Sequence, residues 1–351
     1  MRIVLILILT LFTGSLYIHA QDGDQKEGAT NSGPTATISL LKISEQMYVF
    51  KGKGGNIGVH FGDDGVLMID NQFANVTPEI VNLVASFSDK PIQFLVNTHH
   101  HGDHTGGNKN MIANGTTVLS HEKARERMVS KERKVYDEEF KKEYDRALEK
   151  FGGTEDPSAQ RNARESMKSY KPFQETPNTY PMITFSENMN FHYNGEEIMV
   201  FHLHDAHTDG DALVYFTESN VLHTGDVFFN GRYPYIDIKN GGNYDGYIAA
   251  LAKILILVDG ETKIIPGHGD IGNKGDVKAL HDMMIAVKNS VAFHYLSGKS
   301  KEEIFAMKEI TKPYDDMGYG DAYISTEKWL TLIYDITKAK YGDRTEEKKK
   351  G

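Results

Sequence analysis

The chain has 351 residues, of which 39 are Lys or Arg and 49 are Asp or Glu, giving a net charge of −10, and it contains no cysteine. Its length suits one large or two modest domains with ample core, and a composition 25% charged and 39% apolar is not that of a disordered chain. The missing cysteine excludes disulfides, zinc-thiolate sites, Cys nucleophiles and a lipidated N-terminal Cys, while the acidic balance argues against a nucleic-acid binder, which needs clustered Lys and Arg.

Residues 1–20, MRIVLILILTLFTGSLYIHA, place Arg2 before an apolar run from Ile3 to Phe12 and end on the small Ala20. This pattern reads as a secretory signal peptide cleaved near Ala20, because the apolar run is short for a membrane span. The expectation is an exported protein, periplasmic or secreted, with no stable membrane anchor after cleavage. Residues 21–36 are polar and rich in Gly, Asp, Ser and Thr, and read as a disordered leader.

Between Thr37 and Asn71 the runs TISLLKI, QMYVFKG, NIGVHF and VLMIDN read as strands, with Asp64-Gly65 marking a hairpin. Thr77-Pro78 reads as N-cap and first residue of a helix to about Phe87, and IQFLVN as a strand ending at Asn97. A helical insertion is expected over about 121–180. In its first part Phe140, Tyr144, Leu148 and Phe151 recur at helical spacing, with Asp137/Lys141 and Glu138/Lys142 as supporting pairs. Its second part, with Pro157, Pro172, Pro177 and Pro181, reads as a long connection holding one further helix.

Strand-like runs follow (ITF, MNFHY, IMVFHLH, ALVYFT, NVLHTG), then a helix at about Tyr244–Val258 and the strand KIIPG. Helical patterns near Val277–Leu296, Ser300–Lys308 and Thr326–Lys340 form a C-terminal extension, residues 273–342, packed on the main domain, residues 37–272. Gly298 closes the first of these helices, Ser300 and Glu303 offer a capping box for the second, and residues 343–351 read as a frayed tail. Strands and helices mix twice along the chain, each half ending in a β-run followed by polar loops, which is the pattern of an α/β sandwich.

The richest chemistry lies in Asn97-Thr98-His99-His100-His101-Gly102-Asp103-His104, directly after an apolar strand. In an extended loop alternate residues point the same way, so His99 and His101 converge on one ion while His100 turns aside as a structural residue. Gly102 lets the backbone turn and aims Asp103 and His104 at a second position. Neutral imidazole and carboxylate suit zinc, with iron and manganese as alternatives. Two ions need further ligands, and His207 in HDAHTDGD, Asp226 in VLHTGDVFF and His268 in IIPGHGD each stand beside glycines just past an apolar run. His202 and His204 share one face of a strand as packed or pocket-lining residues, and His223 reads as core. Asp70 and Asp211 stand either as partners for the outer ring nitrogens of metal ligands or as ordinary surface acids.

Taken in order, HxHxDH, HTxGD, TGD and PGHG resemble the motifs of the metallo-β-lactamase superfamily over roughly Thr37 to Gly272. The resemblance implies a four-layer αββα sandwich with a dinuclear zinc site. It also implies that one ion takes His99, His101 and His207, that the other takes Asp103, His104 and His268, and that Asp226 bridges them. Such a site opens a small carbonyl substrate with a hydroxide generated between the two Zn2+ ions, so no Ser or Cys nucleophile is required, and the chain has no Gly-x-Ser-x-Gly elbow. Asp103 is expected to orient that hydroxide as the catalytic residue.

Substrate choice divides. Export and an all-His first site favour a β-lactam-like cyclic amide, whereas β-lactamases proper usually carry Cys or Ser where this chain has Asp226, and an Asp there resembles lactonases and thioester hydrolases. A phosphodiesterase or nuclease is the more distant alternative. Phe229, Arg232 and Tyr233 are candidates for substrate binding, Arg232 either as the cation for a substrate carboxylate or as an ordinary loop arginine. The partner expected is a small molecule.

Overall fold

The computed structural model describes residues 38–175 and 179–350, without the side chains of 343–350. The proposed signal peptide and leader therefore lie outside the described residues. The described residues form one compact unit, and among them no helix is long and apolar enough to cross a membrane.

A 7-stranded sheet is laid down in chain order: β1 (Ser39–Lys42), β2 (Met47–Lys51), β3 (Ile57–Gly62), β4 (Gly65–Ile69), β5 (Ile92–Asn97), β6 (Thr117–His121) and β7 (Ile183–Phe185). The tight hairpins through β4 make its first part antiparallel. Helix α1 (Thr77–Phe87) then carries the chain back so that β5 pairs parallel with β4, since parallel neighbours need a crossover. Two short helices follow β5, α2 (Gly102–Thr105) and α3 (Asn108–Ala113). After β6 come the long α4 (Glu122–Lys150) and α5 (Pro157–Ser166).

A 5-stranded sheet has the order β12-β11-β10-β9-β8, built from β8 (Asn188–Tyr193), β9 (Glu196–Leu203), β10 (Asp211–Phe216), β11 (Val221–Phe229) and β12 (Lys263–His268). Helix α6 (Tyr244–Leu257) is the crossover that makes β12 parallel to β11. The chain ends with α7 (Lys274–Leu296), α8 (Lys301–Ala306), α9 (Lys312–Asp315) and α10 (Thr326–Lys350).

Three apolar clusters glue four layers together. Ile80 and Val84 of α1 with Met111 of α3 pack on Val59, Met68 and Leu95 of the first sheet. Val49, Leu67 and Val96 meet Val200, Val214 and Ile265 between the sheets. Leu213 and Leu222 pack beneath Leu251, Met284, Val287 and Trp329 of α6, α7 and α10. Each fully buried aliphatic side chain contributes about 1.5–3 kcal/mol, and the last cluster makes the C-terminal extension part of the αββα core. This is the four-layer α/β sandwich that the motifs implied.

Several local expectations are corrected. Thr77 is the first helical residue and not the N-cap; a 3-10 turn at Ala74–Val76 leads straight into α1, and Val76 occupies the cap position. The pairs Asp137/Lys141 and Glu138/Lys142 are not formed among the described residues; Lys141 reaches forward to Asp145 at 2.9 Å. Strand β11 continues to Phe229, so Asp226, Phe228 and Phe229 stand on a strand and not in a loop. His204 lies past the end of β9 and is exposed, so it does not share the strand with His202; the two still line one cavity, as expected, with His202 buried and stacked on His121 at 3.7 Å.

Candidate metal centre

All seven residues singled out for metal binding come from the C-terminal ends of four strands. His99, His101, Asp103 and His104 follow β5, His207 follows β9, Asp226 lies near the end of β11, and His268 ends β12. In α/β folds this edge is where crossovers leave a crevice. The ladder from β11 to β12 is irregular between His223 and Phe229, the stretch that carries Asp226.

Two sets of ligand atoms converge, each within 4.8 Å: His99, His101, His207 and Asp226 in one, Asp103, His104 and His268 in the other. In the first set His207 Nε2 lies 3.0 Å from His101 Nδ1. In the second His104 Nε2 lies 3.3 Å from His268 Nε2, and His268 Nε2 lies 3.1 Å from Asp103 Oδ2. Asp226 stands between them. Its Oδ2 is 3.5 Å from His207 Nε2 and 3.8 Å from His99 Nε2, and its Oδ1 is 3.1 Å from His104 Nε2 and 3.6 Å from His268 Nε2.

The outer nitrogens of four of the five imidazoles are tied down. Asp70, at the end of β4, accepts from His104 Nδ1 at 2.7 Å and from the backbone N–H and hydroxyl of Thr98 at 2.8 and 2.7 Å. Thr98 Oγ1 is 3.0 Å from His99 Nδ1, His207 Nδ1 donates to the carbonyl of Tyr235 at 2.8 Å, and His101 Nε2 donates to Asp237 at 2.9 Å. With those nitrogens engaged, the inner ones face each other.

That inward arrangement fits a cation. Burial and neighbouring imidazoles hold His99 well below the usual histidine range, and burial pushes His207 down to about 4. Burial also opposes protonation of His104, but the carboxylates of Asp226 and Asp70 outweigh it and raise this ring well above the usual value. His99 Nε2 is buried without a hydrogen-bond partner, a costly state for a polar atom that a metal relieves. Zn–N bonds near 2.0–2.1 Å in a tetrahedron put ligand nitrogens about 3.3 Å apart, the separation of His104 and His268, while His101 and His207 stand slightly closer at 3.0 Å.

Other expectations fall differently. His100 is buried with Nδ1 unpartnered and is pushed down to about 3, chiefly by burial; it groups with His101 and Asp237 as a third possible set of ligand atoms. Asp211 touches no metal-facing imidazole with its side chain; it accepts from the N–H and hydroxyl of Thr208 and so holds the turn that follows His207. Asp237, Thr98 and Tyr235 were not singled out in the sequence as partners of these rings, because nothing local marks them.

A cavity of about 490 Å³ opens over the cluster, bordered by His101, Asp103, Asp226 and His268, by Phe229, Arg232, Tyr233 and Tyr235, and by Ala322, Tyr323 and Ile324 of the extension. Phe229 stacks on the His268 ring at 5.7 Å and 4°. Arg232 has no carboxylate within ion-pair distance among the described residues. Tyr233 borders the cavity but is 1% exposed, its hydroxyl donating to Asp315. Sequence reasoning could not have found residues 322–324, which carry no motif and reach the site only through the packing of the extension.

A four-layer sandwich with paired His/Asp clusters at its strand ends is the framework of a metal-dependent hydrolase class. The profile of the metallo-beta-lactamase superfamily matches residues 52–268, and the chain belongs to that superfamily, membership of which implies hydrolase activity. Among solved structures it is similar to a metallo-beta-lactamase from Pontibacter korlensis, at 15% identity and a TM-score of 0.50 over 70% of this chain and 99% of that one. DIM-1 metallo-beta-lactamase gives 15% and 0.51 over 71% and 97%, and VMB-1 gives 15% and 0.50 over 72% and 98%. At that identity these structures speak for the fold alone. No curated protein sequence matches the chain.

Proposed function

We propose that the chain is an exported hydrolase that holds two zinc ions and opens a small carbonyl substrate, a β-lactam-like cyclic amide being favoured. The observation that carries this reading is Asp226, whose two oxygens turn to two separate histidine sets, as a carboxylate shared by two ions requires. His99, His101 and His207 would hold one ion and Asp103, His104 and His268 the other. Zinc at such a site supplies Lewis acidity toward a carbonyl oxygen and toward water.

The chain's own residues do the rest. Asp103, partly open to the cavity, orients the attacking water through Oδ2 and accepts its proton. Arg232 meets a carboxylate on the substrate, and the rings of Phe229 and Tyr235 shield the reacting carbonyl from bulk water. Asp70 and Asp237 keep His104 and His101 in one orientation and tautomer. A lactone or thioester is the second reading, favoured by the carboxylate at position 226.

Metal analysis after dialysis, followed by a panel of penicillin, cephalosporin, carbapenem, acyl-lactone, thioester and phosphodiester substrates, tests this. The expected result is two zinc ions per chain and turnover of a lactam, abolished by chelation. Turnover of the lactone or thioester alone selects the second reading. No bound metal, or turnover confined to phosphodiesters, overturns both.

A further inference from the structure

We propose that the C-terminal extension completes the substrate cavity: Ala322, Tyr323 and Ile324, together with Tyr235, form a subsite for an aryl or branched-alkyl substituent of a ligand whose carboxylate is met by Arg232. The proposal rests on the hydrolase reading only in calling that ligand a substrate.

Tyr323 is 76% exposed, yet it is held from two sides. Its ring stands edge-on to Tyr235 at 5.8 Å and 89°. The ammonium of Lys328 lies 5.1 Å from the ring centroid and also donates to the Tyr323 carbonyl at 3.4 Å. An aromatic face left in water but fixed in place is pre-organised for binding, because a ligand that covers it gains apolar contact without ordering the side chain.

The segment that carries Tyr323 is fastened to the loop that carries Arg232 and Tyr235. Tyr233 N–H donates to the carbonyl of Tyr319 at 3.2 Å, and its hydroxyl donates to Asp315 Oδ1, which also accepts from Thr326 Oγ1 at 2.6 Å. The Tyr233 ring stacks on Trp329 at 5.4 Å and 13°. Loop and extension are therefore fastened to each other by hydrogen bonds and a ring stack, and the wall they build begins at the metal centre, where the Tyr235 ring lies 5.9 Å from His101 and 5.7 Å from His207.

Charge fixes the other end of the ligand. Asp270, the carboxylate whose charge acts on Arg232, is paired with Lys51 at 2.6 Å, and Arg232 makes no ion pair of its own among the described residues. A cavity of about 490 Å³ falls in the usual range of roughly 300–1,000 Å³ for small-ligand pockets. An unpaired guanidinium beside a fixed aromatic and aliphatic wall calls for an amphipathic carboxylate.

The test compares 3-phenylpropanoate with propanoate by calorimetry on the full chain as purified. Both probes share the carboxylate and meet Arg232 and any metal alike, so the ratio of their affinities isolates the ring. The expected ratio is about tenfold in favour of the phenyl probe, a size typical of one aromatic contact. Tyr323→Ala should bring the ratio close to one while leaving metal content and thermal unfolding unchanged, Tyr323→Phe should keep it, and Arg232→Ala should weaken both probes. A ratio unchanged in Tyr323→Ala, or already near one in the parent, overturns the subsite. No turnover enters this measurement, so a chain that hydrolyses nothing in the panel can still bind the phenyl probe through Tyr323, and a chain that hydrolyses lactams can still fail here.

Discussion

Gly267 lies against the carboxylate of Asp226 so closely that a Cβ on it would come within 1.9 Å of Oδ1 and 2.7 Å of the Gly225 carbonyl carbon. The first glycine of the PGHG run is thus a matter of space: any side chain displaces the acid that stands between the two histidine sets.

Gly267→Ala is accordingly expected to lower metal stoichiometry and turnover far more than a distant surface change, and to destabilise by about 1–3 kcal/mol through overpacking. Metal analysis and urea unfolding of this variant check it. Retention of full metal content would mean that Asp226 is free to move and does not serve both sets.

Asp70 is fully buried and accepts from three donors, the Thr98 N–H, the Thr98 hydroxyl and His104 Nδ1. Removing it in Asp70→Ala strands all three, and a buried charged hydrogen-bond centre lost in this way costs about 3–5 kcal/mol. The same change frees His104 to rotate, so zinc affinity should fall by about 10–100-fold. Competition with a chromophoric chelator gives the affinity and denaturant unfolding the stability; a stability loss with unaltered affinity would leave Asp70 a structural residue only.

His223 shows how a buried imidazole ties the sheets together and sets a pH dependence. Its Nε2–H donates to the Asn56 carbonyl at 3.2 Å, and its Nδ1 accepts from the Gly225 N–H at 3.2 Å, so the neutral ring is satisfied on both sides. Burial pushes it down to about 4, against about 6.5 in an unfolded chain. Between these values the unfolded state binds more protons. Its contribution is therefore present above about pH 6.5 and lost as the pH falls toward 4, about 2–3 kcal/mol by pH 4.5. In chelator-treated protein, stability should drop between pH 7 and 4.5 by that much less in His223→Gln than in the parent. Equal drops would show that His223 titrates alike in both states.

The legible part of the molecule was what local pattern dictates. Alternation along an extended loop paired His99 with His101, and the helix opened at Thr77-Pro78 and the capping box at Ser300 reached the structure with their bounds nearly intact. What stayed hidden depends on residues far apart in sequence. Asp237 reaches His101 across 136 positions, and Tyr323 meets Tyr235 through the docking of the extension on Tyr233, by the Trp329 stack and the bonds to Tyr319 and Asp315. The pairs expected on α4 failed for a different reason: on an exposed helix, competing partners at the same spacing differ by only tenths of a kcal/mol, and Lys141 took Asp145 instead.

Asp103 separates chemistry from architecture. Its carboxylate is 31% exposed, lies on the cavity, and among the described residues pairs with His268 at 3.1 Å and His104 at 3.7 Å. Burial works against its charge, but the hydrogen bond from His268 and the nearby His104 hold its carboxyl below the usual carboxylate range, so it is ionised and able to accept a proton at neutral pH. Asp103→Asn keeps the shape and one acceptor oxygen and removes the base. Turnover should fall by about 10²–10⁴-fold, the range of a lost general base. Stability should change by less than about 1 kcal/mol, because no core contact is altered. Assays in excess zinc keep the second set loaded, so the loss should appear in kcat more than in KM. Equal losses of activity and of thermal stability would place Asp103 in the scaffold, and a loss confined to KM would make it a substrate contact and not the proton acceptor.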